Sequence, residues 1–184
     1  MNRRSSETAR GFTLIEILVA IAIVAVLAGV GVPAYQRIVQ SSRAAACVSN
    51  LRQLGTALNL YLGEHNMTMP TLKAGRTTLA DDGPVIDNTL NAYASNPRVF
   101  ACPSDTAGLA AKSGTSYYWN VALNGQALAT LNFLHLNGGP ALIPILSDKQ
   151  AFHPYTETRV NILYADGHAD KNFNFVTSTP TSAP

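Results

Sequence analysis

From residue 12 to 35 the chain reads FTLIEILVAIAIVAVLAGVGVPAY, apolar throughout, with Glu16 as its one charged position. At about 1.5 Å of rise per residue, a helix of this length crosses a hydrocarbon core of about 30 Å. One transmembrane helix is therefore predicted over 12–35. Beyond it the pattern becomes amphipathic. Cys47, Val48, Leu51, Leu54, Leu58, Tyr61 and Leu62 recur at steps of three and four, while Arg37, Gln40, Ser41, Arg43, Asn50, Arg52 and Gln53 fill much of the remaining surface. The helix is predicted to continue through 36–63 with one apolar stripe to bury, and Gly63 with Pro70 beyond it signals the stop.

Further on the periodicity shortens. Residues 71–114 carry the breakers Ala74-Gly75, Asp81-Asp82-Gly83-Pro84, Asn96-Pro97 and Cys102-Pro103-Ser104-Asp105, which predict loops around a short helix or turn near 88–93. Short apolar or alternating runs at 115–121, 130–136, 141–146 and 160–165 predict strands, separated by turn residues such as Asn124-Gly125. Pro144 places its strand at an edge or a bulge, because it has no backbone N–H to give a neighbour. Asp166-Gly167 suits a two-residue type I′ turn and predicts a terminal hairpin. The fold class expected is α+β: a long N-terminal helix, transmembrane and then amphipathic, packed on a small antiparallel sheet. The head would occupy 36–176, and the Ser/Thr/Pro-rich stretch 177–184 would be a flexible tail.

Charge adds orientation. Lys and Arg number 13 against 11 Asp and Glu, and Arg3, Arg4 and Arg10 set against Glu7 supply the whole excess of +2. A balanced body has no basic face for phosphates, so no nucleic-acid partner is expected. The basic segment before the span keeps the N-terminus cytoplasmic by the positive-inside rule and sends the head across the inner membrane to the periplasm. Glu16 is costly in lipid, about 2.5–3.5 kcal/mol at a helix centre and less near an end. It either snorkels at the helix start or, if the chain is cut between Gly11 and Phe12, meets the new α-amino group of its own chain or of a neighbour.

Gly11-Phe12-Thr13-Leu14-Ile15-Glu16, the basic leader before it and the apolar run after it resemble the class III signal of type IV pilins and type II secretion pseudopilins. The resemblance implies a leader peptide at 1–11, removed by a prepilin peptidase that cuts after Gly11 and methylates Phe12. It assigns Glu16 to subunit register, through the amine of an adjacent subunit. It also assigns Pro33, with Gly29 and Gly31 nearby, to a point where the helix loosens. An ordinary secretory signal peptide explains neither the length of the apolar run nor its acid.

Cys47 and Cys102 are the only cysteines. Outside the cytoplasm they permit either a disulfide, worth about 4 kcal/mol in the chain-entropy model, or two buried thiols. The pieces around Cys47, Cys102, Ser116-Tyr117-Tyr118-Trp119-Asn120 and Asn161 to His168 are similar to a pilin-like subgroup described by a His-x9-Asp-Gly signature. Here the interval from His153 to Asp166-Gly167 is twelve residues rather than nine. No CxxC or other zinc spacing occurs, so no metal or other cofactor is expected. His153, Asp166 and His168 are the residues a metal would use, with His135, Asp148 and Asp170 in the same region and calcium as the cation carboxylates and carbonyls would suit. No G-x-S-x-G, H-E-x-x-H or phosphate-cradling loop is present, and no enzyme is expected.

The function these readings imply is a structural subunit of a pilus-like or secretion pseudopilus filament. Its partners would be the prepilin peptidase, other pilin or pseudopilin subunits, an inner-membrane assembly platform and the lipid bilayer, and assembly would carry it to a cell-surface filament. The alternative is a membrane-anchored periplasmic protein that does not polymerise and binds a ligand or metal through its head.

Overall fold

The computed structural model describes residues 13–133, 139–154 and 159–171. The predicted leader, with Gly11 and Phe12, lies outside them, as do His135 and the tail 177–184. By its internal contacts the chain divides into two compact units, Met1–Val39 and Gln40–Pro184.

Helix α1, Leu14–Glu64, contains both predicted segments and passes through Pro33 without a break. Among the described residues it is the one helix long and apolar enough to cross a membrane, with a mean hydropathy of 2.8 in its most apolar stretch. Every described residue up to Ile38 is exposed. From Ala44 on, the helix buries Ala44, Cys47, Val48, Leu51, Leu54, Gly55, Ala57, Leu58 and Leu62, the stripe expected of an amphipathic helix.

The helix ends at Glu64, one residue past the predicted 63. Just beyond, Asn66 and Met67 take left-handed φ of 51° and 53° and the Met67 N–H donates to Leu62 O at 2.9 Å. This closure satisfies an end carbonyl as a Schellman-type cap does, without glycine.

The second unit holds a four-stranded antiparallel sheet in the order β1 (Tyr117–Trp119), β2 (Pro144–Asp148), β3 (Ile162–Tyr164), β4 (Ala169–Asp170). Two short helices, α2 (Ile86–Thr89) and α3 (Leu109–Ser113), lie in the connection before it. In register, Tyr117 faces Asp148, Trp119 faces Leu146, and Leu146 faces Leu163. Leu51, Leu54 and Leu58 of α1 share one core with Tyr117, Trp119, Leu146 and Leu163. At Gly55 a Cβ would stand 3.2 Å from Leu163 Cδ1, so the absence of a side chain there lets helix and β3 meet closely.

Two local expectations need correction. The strand predicted at 130–136 is absent from its described part, since Leu128–Thr130 is a 3-10 turn and 131–133 is irregular. The Gln126 side chain accepts from the Asn132 N–H at 2.8 Å and donates to Asn132 O at 3.1 Å, taking the place of a strand partner. Of the two places expected for Pro144, an edge or a bulge, the structure shows the second: β2 lies between β1 and β3, and Pro144 is its first residue, beside a register shift between Pro144 and Leu146. Its carbonyl accepts from Asn120 Nδ2 at 2.8 Å. The β3–β4 turn is a three-residue loop rather than type I′. Gly167 has φ 89° and donates to Tyr164 O, whereas Asp166 is not among the residues with positive φ. A type I turn closed by a left-handed glycine is the next most common hairpin solution.

Candidate functional site

The start of α1 carries the first site. Thr13 and Glu16 close a reciprocal capping box: Glu16 Oε2 accepts from Thr13 N at 2.8 Å and from Thr13 Oγ1 at 2.9 Å, and Glu16 N donates to Thr13 Oγ1 at 3.3 Å. The Thr-x-x-Glu spacing is itself a helix-start signature. Thr13 is thus a residue the sequence reading passed over although its signal was present. The box orders the first turn and holds the carboxylate at the N-terminal end of the helix dipole. Downstream, Gly29 and Gly31 have nothing within 4 Å of where a Cβ would stand, so that face is open to a neighbouring surface.

A second cluster lies deep in the Gln40–Pro184 unit. A disulfide joins Cys47 on α1 to Cys102 in the loop after the Pro97–Phe100 turn, with Cα atoms 5.0 Å apart. Beside it, His153 is 2% exposed. Its Nε2 lies 2.7 Å from Asn161 Nδ2, 3.2 Å from Asp148 Oδ2 and 3.7 Å from Cys102 Sγ. Asp148 Oδ2 also accepts from the Asn161 N–H at 2.7 Å. Burial pushes the Asp148 carboxyl above the usual carboxylate range, against the pull of His153 and the Asn161 bonds. Burial, helped by the nearby Asp148, pushes the Tyr117 hydroxyl up as well.

The predicted metal candidates separate in space. His153 belongs to the cluster at the disulfide, whereas Asp166 and His168 pair at 2.5 Å in the solvent-exposed β3–β4 turn, His168 stacked on Tyr164. Among the described residues the group of side chains able to share one ion is Cys47, Cys102 and His153. Neither cysteine had been weighed as a ligand, because 55 residues separate them and no local motif marks the pair. As a catalytic arrangement, cysteine, histidine and asparagine would need a free and accessible thiol, but Cys102 is bonded and 4% exposed.

The family model described as the prokaryotic N-terminal methylation motif matches residues 8–32. Prepilin peptidase-dependent protein D of Escherichia coli (strain K12) is 39% identical over 56 residues, 30% of this chain and 38% of that protein. The likeness thus spans well under half the length of that relative. No solved structure matches the chain. The chain thus carries the N-terminal methylation motif over residues 8–32, at the head of a long helix followed by a small antiparallel sheet, an arrangement like that of a pilin-type prepilin.

Proposed function

We propose that the protein is a non-catalytic structural subunit of a pilus-like or pseudopilus filament. On this reading prepilin peptidase removes residues 1–11, Phe12 becomes the methylated N-terminus, and the mature chain waits in the inner membrane with its N-terminus on the cytoplasmic side. The observation that carries the reading is the exposure of the apolar half of α1. Leu14, Val26, Leu27 and Val30 are all between 67% and 83% exposed. An apolar surface of that extent needs lipid or a neighbouring copy to cover it. Ala20, Ala22, Ala25, Gly29 and Gly31 let such helices approach closely, as small residues do between membrane helices.

Within that assembly Glu16 pairs with the Phe12 amine of an adjacent subunit. The exchange replaces a carboxylate facing lipid by an ion pair inside a helix bundle, while helix–helix contacts replace helix–lipid contacts.

The intact mass and N-terminal sequence of the native product test the processing step: a methylated Phe12 start is expected. An intact Met1 start, or a cut beyond the apolar run, overturns it. Glu16→Ala tests assembly. Tagged subunit should vanish from sheared filaments while residues 40–184 stay folded, and unchanged incorporation would leave α1 a plain anchor.

A further inference from the structure

The sulfur atoms of Cys47 and Cys102 and a nitrogen of His153 lie within 4.8 Å of one another, and all three residues are buried. We propose that the chain, when this disulfide is reduced, binds one zinc-type divalent cation through Cys47 Sγ, Cys102 Sγ and His153 Nε2. The sequence holds no zinc motif, and the site exists only because the fold brings α1, the Cys102 loop and the segment after β2 together.

The spacing suits the ion. Tetrahedral zinc with sulfur at about 2.3 Å and nitrogen at about 2.0–2.1 Å sets its ligands roughly 3.5–3.8 Å apart. Cys102 Sγ and His153 Nε2 are already at 3.7 Å, so only the two sulfurs must move, parting by rotation about their own side-chain bonds. The donor set suits it too. Two thiolates and an imidazole favour zinc-like ions over calcium or magnesium, and two thiolate charges cancel the dication in a buried site.

The scaffold does not depend on the sulfur–sulfur bond. Asn50 Nδ2 of α1 donates to Ala101 O at 3.0 Å. The Cys102 N–H donates to Ser116 Oγ, and Ser116 N and Thr115 Oγ1 both donate to Phe100 O. The first bond ties the Cys102 loop to α1 and the others tie it to the segment before β1, none of them through the sulfurs. The Ser104 N–H donates to Cys102 Sγ at 3.4 Å, an amide-to-sulfur contact that supports a thiolate. Metal binding requires the Nε2 lone pair and displaces the contacts that Nε2 now makes with Asn161 Nδ2 and Asp148 Oδ2, while the Asn161 N–H keeps the Asp148 carboxylate as its acceptor. Three protein ligands leave a fourth tetrahedral position that a solvent molecule would fill.

The chemistry is a two-step exchange. A phosphine reductant is oxidised to the phosphine oxide with the oxygen of water, and its two electrons, with the two water protons, convert the disulfide to two thiols. The dication then displaces both thiol protons to solvent. Disulfide and metal are mutually exclusive, and either one ties the Cys102 loop to α1.

The test uses the full chain in detergent micelles, titrated with Co²⁺ and then Zn²⁺ before and after phosphine reduction. The reduced protein should bind one ion per chain with thiolate-to-cobalt charge-transfer absorption that Zn²⁺ abolishes, while the oxidised protein shows none. His153→Gln should weaken binding about tenfold or more with its circular dichroism unchanged. X-ray absorption of the zinc-loaded wild type should report two sulfurs and an imidazole nitrogen, a readout independent of whether any variant folds. The proposal fails if reduced wild type gives no charge-transfer absorption, if binding is equally tight in concentrated guanidinium, or if the zinc shell lacks the imidazole.

Discussion

The Asp105 carboxylate gathers donors from two parts of the head: Oδ1 accepts from Leu109 N at 3.0 Å, and Oδ2 from Ala110 N and Ser116 Oγ, each at 2.8 Å. Burial raises its pKa, but these bonds outweigh that and leave it below the usual carboxylate range. An acid depressed in the folded state adds stability above its unfolded pKa and loses it as pH falls through the folded value. Asp105→Ala should therefore cost about 1–2 kcal/mol at neutral pH. In urea unfolding, the gap between wild type and variant should close below about pH 4; a gap independent of pH would contradict the assignment. None of this is readable from Cys102-Pro103-Ser104-Asp105, which signals only a turn. The partner Ser116 is 11 positions away and is brought close by the packing of β1. His153 was opaque for the same reason, its neighbours Asp148, Asn161 and Cys102 coming from three separate segments. Glu16 and Thr13 were legible because their chemistry is confined to one helical turn.

At the level of elements, α1 and β3 are set by the contact at Gly55. Gly55→Val should destabilise the head by about 1–3 kcal/mol, since the added carbons meet Leu163 in a filled core. Gly63→Ala is the matched control. It lies on the same helix with nothing within 4 Å of the new Cβ, and should stabilise by up to about 1 kcal/mol through helix propensity. Chemical unfolding of both variants distinguishes close packing from glycine's backbone freedom; equal effects would remove the contact from the explanation. The helix was legible because an unbroken apolar run passes directly into a three- and four-residue stripe, and its end fell within one residue of the expected 63. The cap was not legible, because Asn66 and Met67 rather than a glycine carry the left-handed turn. The strands were legible where apolar residues alternate beside a partner. In the described part of the run at 130–136, the Gln126 side chain takes both backbone groups of Asn132, which a strand would have paired.

The molecule as a whole joins two units of different surface, one exposing apolar side chains and one enclosing a core. Gln40–Pro184 has its own core, whereas the described residues through Ile38 bury nothing within the chain. A chain beginning at Gln40 and exported to an oxidising compartment should stay in solution without detergent and unfold cooperatively, as thermal denaturation would show. Aggregation or a non-cooperative melt would mean that the head depends on the preceding segment. The apolar run was legible because it is a matter of local composition, whereas sheet register depends on contacts far apart along the chain. The Cys47–Cys102 link gives the two-unit chain a mechanical property. When the ends are pulled, tension passes from α1 straight across the sulfurs to the segment that feeds β1. Residues 48–101, with the Asp87 and Arg76 ion pair among them, lie off that covalent path.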